Sequence, residues 1–334
     1  MLRPVPADVS VLMPYRDAGP TVAEALESVL AEGVVAEVVA VDDGSSDEGP
    51  AIVAAIARRD RRVRCLRTEG LGVAGALALG WRELRHELVA RMDADDVSLP
   101  GRIEGTRARL LGDARLAAVG TRVEAFPEPG AGLVRYVDWL NALTTPEEHA
   151  RDIFVEAPLC HPSVILRRSA VEAVGGYVDM PWPQDYDLWL RLVAAGWGLA
   201  KLPETRLRWR HLPTRVSFNN PRNAPERLVL ARARYLAPLL AERPAFRIWG
   251  AGDTGKDLAR ALEAEGAFAE DFADIDPKKL GRLARGRPIV PAERALEEGL
   301  FVVVAVGTQG ARAVVRDRLV AAGKVEGLDF VCAA

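Results

Sequence analysis

The sequence of 334 residues has little of what several protein classes require. Its 3 cysteines, Cys65, Cys160 and Cys332, do not form an even set or a metal-binding spacing, which disfavours a disulfide framework and a structural zinc site. No apolar run approaches the roughly 18 residues that span a bilayer, and Met1–Pro6 lacks the apolar core of a secretion signal. We therefore expect a cytoplasmic protein with at most peripheral membrane contact.

An excess of charge of one sign is also missing. The chain has 44 Lys and Arg against 47 Asp and Glu, a net charge of −3, whereas a dedicated nucleic-acid-binding protein normally carries a basic excess. Hydrophobic residues make up 49% of the chain, so it can bury a substantial core. We expect no nucleic-acid partner, and the length is comfortable for two domains.

Short apolar runs alternate with amphipathic helical patterns along the first half of the chain. Val9–Met13 and Glu37–Val41 predict buried strands, each followed by a helical pattern. Because successive parallel strands need crossover connections, this alternation predicts an α/β fold, a mostly parallel sheet with helices on both faces. A second strand–turn–helix pattern begins at Phe246. We predict a first domain over 1–222, a helical linker over 223–244 and a smaller α/β domain over 245–334.

Two acidic clusters follow predicted strands of the first domain. Asp42 and Asp43 come after one strand, and Asp93, Asp95 and Asp96 come after another. The carboxyl ends of parallel strands border the ligand crevice of an open sheet. Crowded carboxylates repel one another unless a cation or hydrogen-bond donors compensate them, and Mn²⁺ or Mg²⁺ bridging to a diphosphate would do so. The alternative is a pair of solvated acidic turns, since aspartate favours turns.

Several motifs together resemble family 2 glycosyltransferases, over roughly Asp8 to Phe218. The motifs that carry this resemblance are Val9–Arg16, Val41–Ser45, Arg91–Asp96, His161–Ser163 and Gln184–Arg191. The resemblance implies the GT-A fold, a nucleotide-sugar donor, a divalent metal and inversion at the anomeric carbon. It also implies a saccharide or lipid-linked acceptor in surface polysaccharide biosynthesis.

The resemblance assigns the donor and the metal to specific positions. Asp42 would accept a hydrogen bond from the imino group of uracil or thymine, so the donor would be a UDP- or dTDP-sugar. Arg16 stands where the family often has asparagine and would add a donor to the phosphates. Asp93, Asp95 and Asp96 would hold the metal, with His211 a further candidate. The implied donor-binding residues are Pro14, Tyr15, Arg16, Asp42, Asp43, Arg91 and Asp93.

A single displacement at the anomeric carbon needs a base that takes the proton of the attacking hydroxyl. By resemblance this base is Asp185, with Asp187 as the second candidate, although Gln184 replaces an acidic residue common in the family. A helix-capping role is the competing interpretation of Asp185. His161 and Trp189 are candidates for the acceptor pocket, His161 by lining it and Trp189 by stacking on a sugar face. A structural role is equally compatible with His161, and a tryptophan at helical spacing, such as Trp189, more often packs in the core.

The C-terminal domain carries a glycine-rich turn of its own. Gly250, Gly252 and Gly255 follow a predicted strand and open a helix, and Asp274 lies near the end of the next strand. This is the context of a dinucleotide-type phosphate-binding turn, with the carboxylate available for a ribose. With Ile275-Asp276 and Gly286–Ile289, the domain also resembles the nucleotide-sugar-binding domain of bacterial sugar acyltransferases. It would bind a nucleotide or dinucleotide, or serve as a scaffold or dimer surface, which leaves a homo-oligomer open.

Three other functions compete with sugar transfer. A sugar nucleotidyltransferase shares the sheet and the acidic site, but needs a glycine-rich, basic loop after the first strand, which Pro14–Gly19 does not provide. A non-catalytic, regulatory nucleotide-sugar-binding protein would not need all three acidic elements. An NAD-dependent oxidoreductase would rest on the C-terminal domain alone.

Overall fold

The computed structural model describes residues 8–211, 220–297 and 299–334, which form two compact units. The first unit comprises residues 8–150, 158–180 and 184–211, and the second comprises 151–157, 181–183 and the described residues from 220 onward. Met1–Pro6 and the last residues of the stretch that carries the family resemblance lie outside the described residues. Within the described ranges, no helix is both long and apolar enough to cross a bilayer.

One mixed sheet organises the first unit. In spatial order it runs β3-β2-β1-β4-β7-β6-β8-β5; β1, β2, β3 and β4 are mutually parallel, and β7 is antiparallel to β4 and β6. The strands are β1 Val9–Tyr15, β2 Val35–Asp42, β3 Val63–Arg67, β4 Leu88–Arg91, β5 Val97–Ser98, β6 Leu116–Phe126, β7 Ile165–Arg167 and β8 Gly198–Arg210.

Helices follow these strands along the chain. They are α1 Val22–Leu30, α2 Gly49–Arg59, α3 Gly72–Arg82, α4 Arg102–Leu111, α5 Ala131–Ala142, α6 Pro146–Asp152, α7 Arg168–Ala173 and α8 Gln184–Ala194. Every residue of β1 is buried, as expected for a central strand covered on both faces. Gly80 of α3 permits this cover, because a Cβ there would lie 2.4 Å from a methyl carbon of Leu12. Because β1, β2 and β4 are parallel, their carboxyl ends meet at one edge of the sheet, and this edge carries both acidic clusters.

The second unit has a smaller sheet in the order β11-β12-β10-β9-β13-β14. Its strands are β9 Phe246–Trp249, β10 Phe272–Asp274, β11 Leu283–Ala284, β12 Arg287–Pro291, β13 Phe301–Val304 and β14 Phe330–Cys332, and its helices are α9 Pro225–Ala241, α10 Asp253–Ala264 and α11 Ala311–Ala321. All pairs except the β11–β12 hairpin are parallel.

The region predicted as a linker contains α9, which packs into the core of the second unit. Ala233, Leu236 and Leu240 on this helix are buried in the same cluster as Phe246 and Leu262. A segment from earlier in the chain, 151–157, also belongs to this unit.

Candidate functional site

Asp42 ends β2 and is buried at the sheet edge, with 2% of its surface exposed. Its Oδ1 accepts a hydrogen bond from the backbone N–H of Ser45 at 2.8 Å. Its Oδ2 is buried without a hydrogen-bond partner among the described residues, and Arg67 Nε lies 3.5 Å away on a largely exposed side chain. A buried carboxylate oxygen without a donor is costly. One oxygen of Asp42 is therefore suited to receive a ligand N–H.

Asp43 points to a different part of the protein. Its Oδ1 accepts from Thr68 Oγ1 at 2.5 Å and from the N–H of Leu71 at 2.7 Å, and its Oδ2 accepts from the N–H of Gly72 at 2.9 Å. These donors belong to the loop before α3 and to the first residue of that helix. The carboxylate thus fixes the loop beside the site and compensates amide groups at the start of a helix.

Pro14 and Tyr15 end β1 next to Asp42. The register pairs Tyr15 with Asp42, and the backbone N–H of Asp43 donates to the carbonyl of Tyr15 at 2.8 Å. Burial, and then the nearby Asp42 carboxylate, raise the pKa of Tyr15, so its hydroxyl stays protonated. Arg16 is the exposed member of this group: its side chain is 58% exposed, with Asp17 3.8 Å away.

The second acidic cluster follows β4. Carboxylate oxygens of Asp93, Asp95 and Asp96 all lie within 4.8 Å of one another, and among the described residues these three form the group with metal-binding spacing. Arg91 is buried beside them, and its Nη1 lies 2.5 Å from Asp93 Oδ1. The structure therefore places Arg91 as an internal counter-charge to Asp93.

The end of β8 packs against this cluster. The backbone N–H of Arg210 donates to Asp96 Oδ1 at 2.7 Å, and its Nε donates to the carbonyl of Asp95 at 2.6 Å. His211 comes next; its N–H donates to the carbonyl of Phe126 and its ring lies edge-on to Trp209, with the centroids 4.2 Å apart. His211 thus follows a residue that contacts the cluster, but it is not one of the three grouped ligands.

The two candidate bases have different surroundings in α8. Asp185 is half-buried, and its Oδ1 accepts from the N–H of Tyr186 at 2.9 Å. Burial raises the pKa of Asp185; Asp93 adds to the rise, and Arg91 opposes it. Asp187 is buried instead, and its Oδ2 accepts from Arg191 Nε at 2.7 Å.

The two acceptor-pocket candidates are enclosed. His161 Nε2 lies 2.8 Å from the hydroxyl of Tyr177, and burial, followed by the charge of Arg91, lowers the pKa of His161 well below 6.5, so the ring is neutral. Trp189 has no exposed surface and lies edge-on to His161, with centroids 5.8 Å apart. This burial favours the structural role, in which Trp189 supports His161 from the core, and a part for Trp189 in an acceptor pocket stays a prediction.

Two residues of this region were missed at the sequence level. Burial raises the pKa of Tyr177, the negative charges of Asp185 and Asp93 add to this rise, and its hydroxyl contacts His161. A lone tyrosine after two glycines gives no recognisable signal in the sequence. Arg102 is completely buried at the start of α4. Its signal is visible in the sequence: it lies on the same helix face as the buried Thr106 and Leu110, where an apolar residue is expected.

In the second unit, the glycine-rich turn connects β9 to α10. A Cβ on Gly255 would lie 1.8 Å from the carbonyl oxygen of Gly250, and one on Gly250 would lie 2.2 Å from that of Ala305, whereas Gly252 faces open space. Asp274 accepts from the N–H groups of Ala251 and Asp276 and pairs with a lysine five residues along the chain. Binding of a nucleotide here stays a prediction. Asp274, the carboxylate predicted to bind the ribose, already accepts hydrogen bonds from the backbone of the turn and of the segment after β10.

Residues 10–175 match the family model "Glycosyl transferase family 2". The amylovoran biosynthesis glycosyltransferase AmsE of Erwinia amylovora is 30% identical over 142 residues, which cover 42% of this chain and 52% of AmsE. An Escherichia coli UDP-Gal:alpha-D-GlcNAc-diphosphoundecaprenol beta-1,3-galactosyltransferase is 28% identical over 193 residues, covering 56% of this chain and 68% of the relative. The chain thus spans about half the length of AmsE and about two thirds of the E. coli enzyme.

Solved structures agree on the fold. S. aureus TarS 1-349 in complex with UDP-GlcNAc superposes with a TM-score of 0.58 at 16% identity, covering 79% of this chain and 74% of TarS 1-349. The mannosyltransferase PcManGT from Pyrobaculum calidifontis, in complex with GDP-Man and Mn²⁺, gives a TM-score of 0.50 at 19% identity, covering 72% and 64% of the two chains. The protein has the GT-A glycosyltransferase fold, with a second sheet that forms a smaller domain.

Proposed function

We propose that the protein is an inverting, metal-dependent transferase of glycosyl transferase family 2, because residues 10–175 match the model of that family. It moves a sugar from a UDP- or dTDP-sugar to a saccharide or lipid-linked acceptor during surface polysaccharide assembly. The observation that carries the proposal is that one unit contains Asp42, the Asp93–Asp96 cluster and Asp185. The charge of Asp93 adds to the raised pKa of Asp185.

The nucleotide base would be read by Asp42. Its Oδ1 is used by Ser45, so Oδ2 is left for one ligand N–H. Uracil and thymine present a single imino N–H between two carbonyl groups, whereas the corresponding edge of guanine presents two neighbouring donors. One buried acceptor oxygen therefore favours uracil or thymine, because a second guanine donor would lose its water without gaining a partner. Asp43 acts indirectly, by holding the loop that borders the site.

The diphosphate would be held at the second cluster. Asp93, Asp95 and Asp96 offer only carboxylate oxygens, the ligand type that Mg²⁺ and Mn²⁺ take in proteins. When bound, such a cation neutralises the charge that develops on the departing nucleoside diphosphate. Arg91 holds Asp93 in place, and the N–H of Arg210 does the same for Asp96.

Asp185 would be the base. The acceptor oxygen attacks the anomeric carbon as the bond from that carbon to the diphosphate oxygen breaks, and the acceptor proton passes to the Asp185 carboxylate. One displacement of this kind inverts the anomeric configuration. A pKa raised by burial makes this carboxylate a stronger proton acceptor once it is ionised. The ion pair with Arg191 makes Asp187 a weaker candidate.

Titration calorimetry with UDP, dTDP and GDP, each with and without Mn²⁺, tests the donor site. We expect UDP or dTDP to bind at least tenfold more tightly than GDP, and chelation to remove most of the signal. Asp95→Ala should reproduce chelation without lowering the melting temperature, while Asp42→Asn should remove the preference for uracil over guanine. Equal affinities for the three nucleotides, or affinity unchanged by chelator, would contradict these assignments. Sugar transfer from the tightest-binding donor class then tests the enzymatic activity.

A further inference from the structure

The loop that carries the acidic cluster is joined at its base by one buried side chain, Arg102. Its Nε donates at 2.6 Å to the Oγ of Ser98, a residue that lies just after the loop. Its Nη1 donates to the carbonyl of Arg91 at 3.2 Å, and its Nη2 lies 3.7 Å from Met92 Sδ; both residues lie just before the loop. One guanidinium thus spans the entry and the exit of the segment from Asp93 to Val97.

The same guanidinium reaches a third segment. Nη1 also donates to the carbonyl of Pro162 at 3.0 Å, next to His161. Arg102 has no exposed surface, so its charge is stabilised from within the protein. Burial lowers the pKa of Arg102 to about 10, while Glu32 and Asp96 oppose that change, so it remains a cation at neutral pH.

Glu32 fixes the helix on which Arg102 stands. Its Oε1 accepts from the N–H of Ile103 at 3.0 Å and its Oε2 from the N–H of Glu104 at 2.9 Å, at the first turn of α4. A carboxylate at a helix N-terminus satisfies amides that have no partner within the helix. Arg102 therefore projects from an anchored helix end.

We propose that Arg102 is a positioning residue that sets the geometry of the Asp93–Asp96 carboxylates for the divalent cation. This inference rests on the proposed function, since it assumes that the cluster binds a cation. Arg102 touches neither donor nor cation; it acts through the backbone of Arg91, the side chain of Ser98 and the turn at Pro162. Residues that orient metal ligands in this way typically contribute about 10- to 100-fold to metal affinity.

The sign of one measurement separates positioning from simple electrostatics. Removing a positive charge near Asp96 would, by Coulomb attraction alone, tighten cation binding. Loss of positioning weakens it instead. For Arg102→Met we therefore expect Mn²⁺ affinity, measured by electron paramagnetic resonance, to fall about tenfold or more. Arg102→Lys should also lose affinity, because an ammonium keeps the charge but cannot reproduce the planar fork.

Hydrogen exchange without metal supplies a second readout. Amides of residues 93–98 should exchange faster in Arg102→Lys, and Ser98→Ala, which removes one contact of the fork, should show the same change to a smaller degree. Arg107→Gln is the matched control: Arg107 lies on the same helix and forms a two-point pair with Asp8, at 2.6 and 2.7 Å. Its loss should leave Mn²⁺ affinity and exchange over 93–98 unchanged.

Wild-type Mn²⁺ affinity together with wild-type exchange over 93–98 in Arg102→Lys would overturn the inference. Tighter Mn²⁺ binding by Arg102→Met would overturn it in favour of a purely electrostatic role. If the wild-type protein itself binds no Mn²⁺, the proposed metal site fails, and the exchange of residues 93–98 still decides whether Arg102 positions the loop.

Discussion

Replacing Asp185 by Asn tests the chemical step most directly. The substitution keeps the shape of the side chain, and the amide oxygen can still accept the N–H of Tyr186 that Asp185 Oδ1 accepts at 2.9 Å. It removes only the capacity to take a proton from the acceptor. General-base assistance contributes about 10²- to 10⁴-fold, so turnover should fall by that factor. Donor affinity should be little changed, because the residues proposed to bind the donor are untouched.

Stability should change in the opposite direction to activity. Because burial raises the pKa of Asp185 above 3.8, the folded protein favours the neutral carboxyl, and ionisation at neutral pH costs stability. The neutral Asn variant should therefore be at least as stable as the wild type at pH 7 in urea unfolding. The difference should shrink as the pH falls through the folded-state pKa and vanish below the unfolded value. In the wild type, turnover should fall over the same range, since the protonated carboxyl cannot act as a base.

Asp187→Asn is the matched control on the same helix. It weakens the buried pair with Arg191 and should lower the free energy of unfolding by about 1.5 to 3 kcal/mol, with a smaller loss of turnover per folded molecule. A steady-state assay with measured donor affinity distinguishes the two variants. Wild-type turnover by Asp185→Asn would remove this residue from the mechanism, and a larger loss from Asp187→Asn would move the role two residues along.

Three further predictions concern structure. Asp43→Ala should lower the free energy of unfolding by about 3 kcal/mol in urea titrations, because three donors lose one carboxylate; an unchanged midpoint would refute its role in holding the loop. In the second unit, Gly255→Ala should destabilise by about 3 kcal/mol through a clash, whereas Gly252→Ala should cost less than about 1 kcal/mol and weaken nucleotide binding if the turn binds phosphate. Removing everything after Arg243 keeps the whole first unit but exposes Phe154, which packs against the core of the second unit. We therefore expect the truncated protein to have a lower melting temperature and reduced turnover. Full activity of the truncated protein would show that this packing is dispensable.

The sequence by itself determined the α/β class and the convergence of the acidic clusters. Alternating strand and helix patterns require crossover connections, and these bring the carboxyl ends of parallel strands to one edge. Asp42 and the cluster beginning at Asp93 follow two such strands, so their proximity to one edge follows from chain direction alone. The resemblance to the family motifs added the predicted role of each of these residues.

Only the tertiary structure decided what each carboxylate does. Asp42 and Asp43 are neighbours in sequence, but side chains alternate at a strand end. One therefore keeps a buried oxygen that accepts no hydrogen bond within the described part of the chain, and the other binds a loop that lies 25 to 29 residues further along. Asp185 and Asp187 lie two residues apart on a helix, and such residues do not share a face.

Burial was likewise outside the reach of local pattern. Whether Trp189 meets a sugar or the core depends on side chains from other segments, among them His161. The proposed positioning role of Arg102 depends on its hydrogen bonds to other segments, including one to the carbonyl of Pro162, 60 positions along the chain. Hydrophobic periodicity and turn chemistry are local properties and fix the elements, whereas partners for buried charges are fixed only when distant segments pack together.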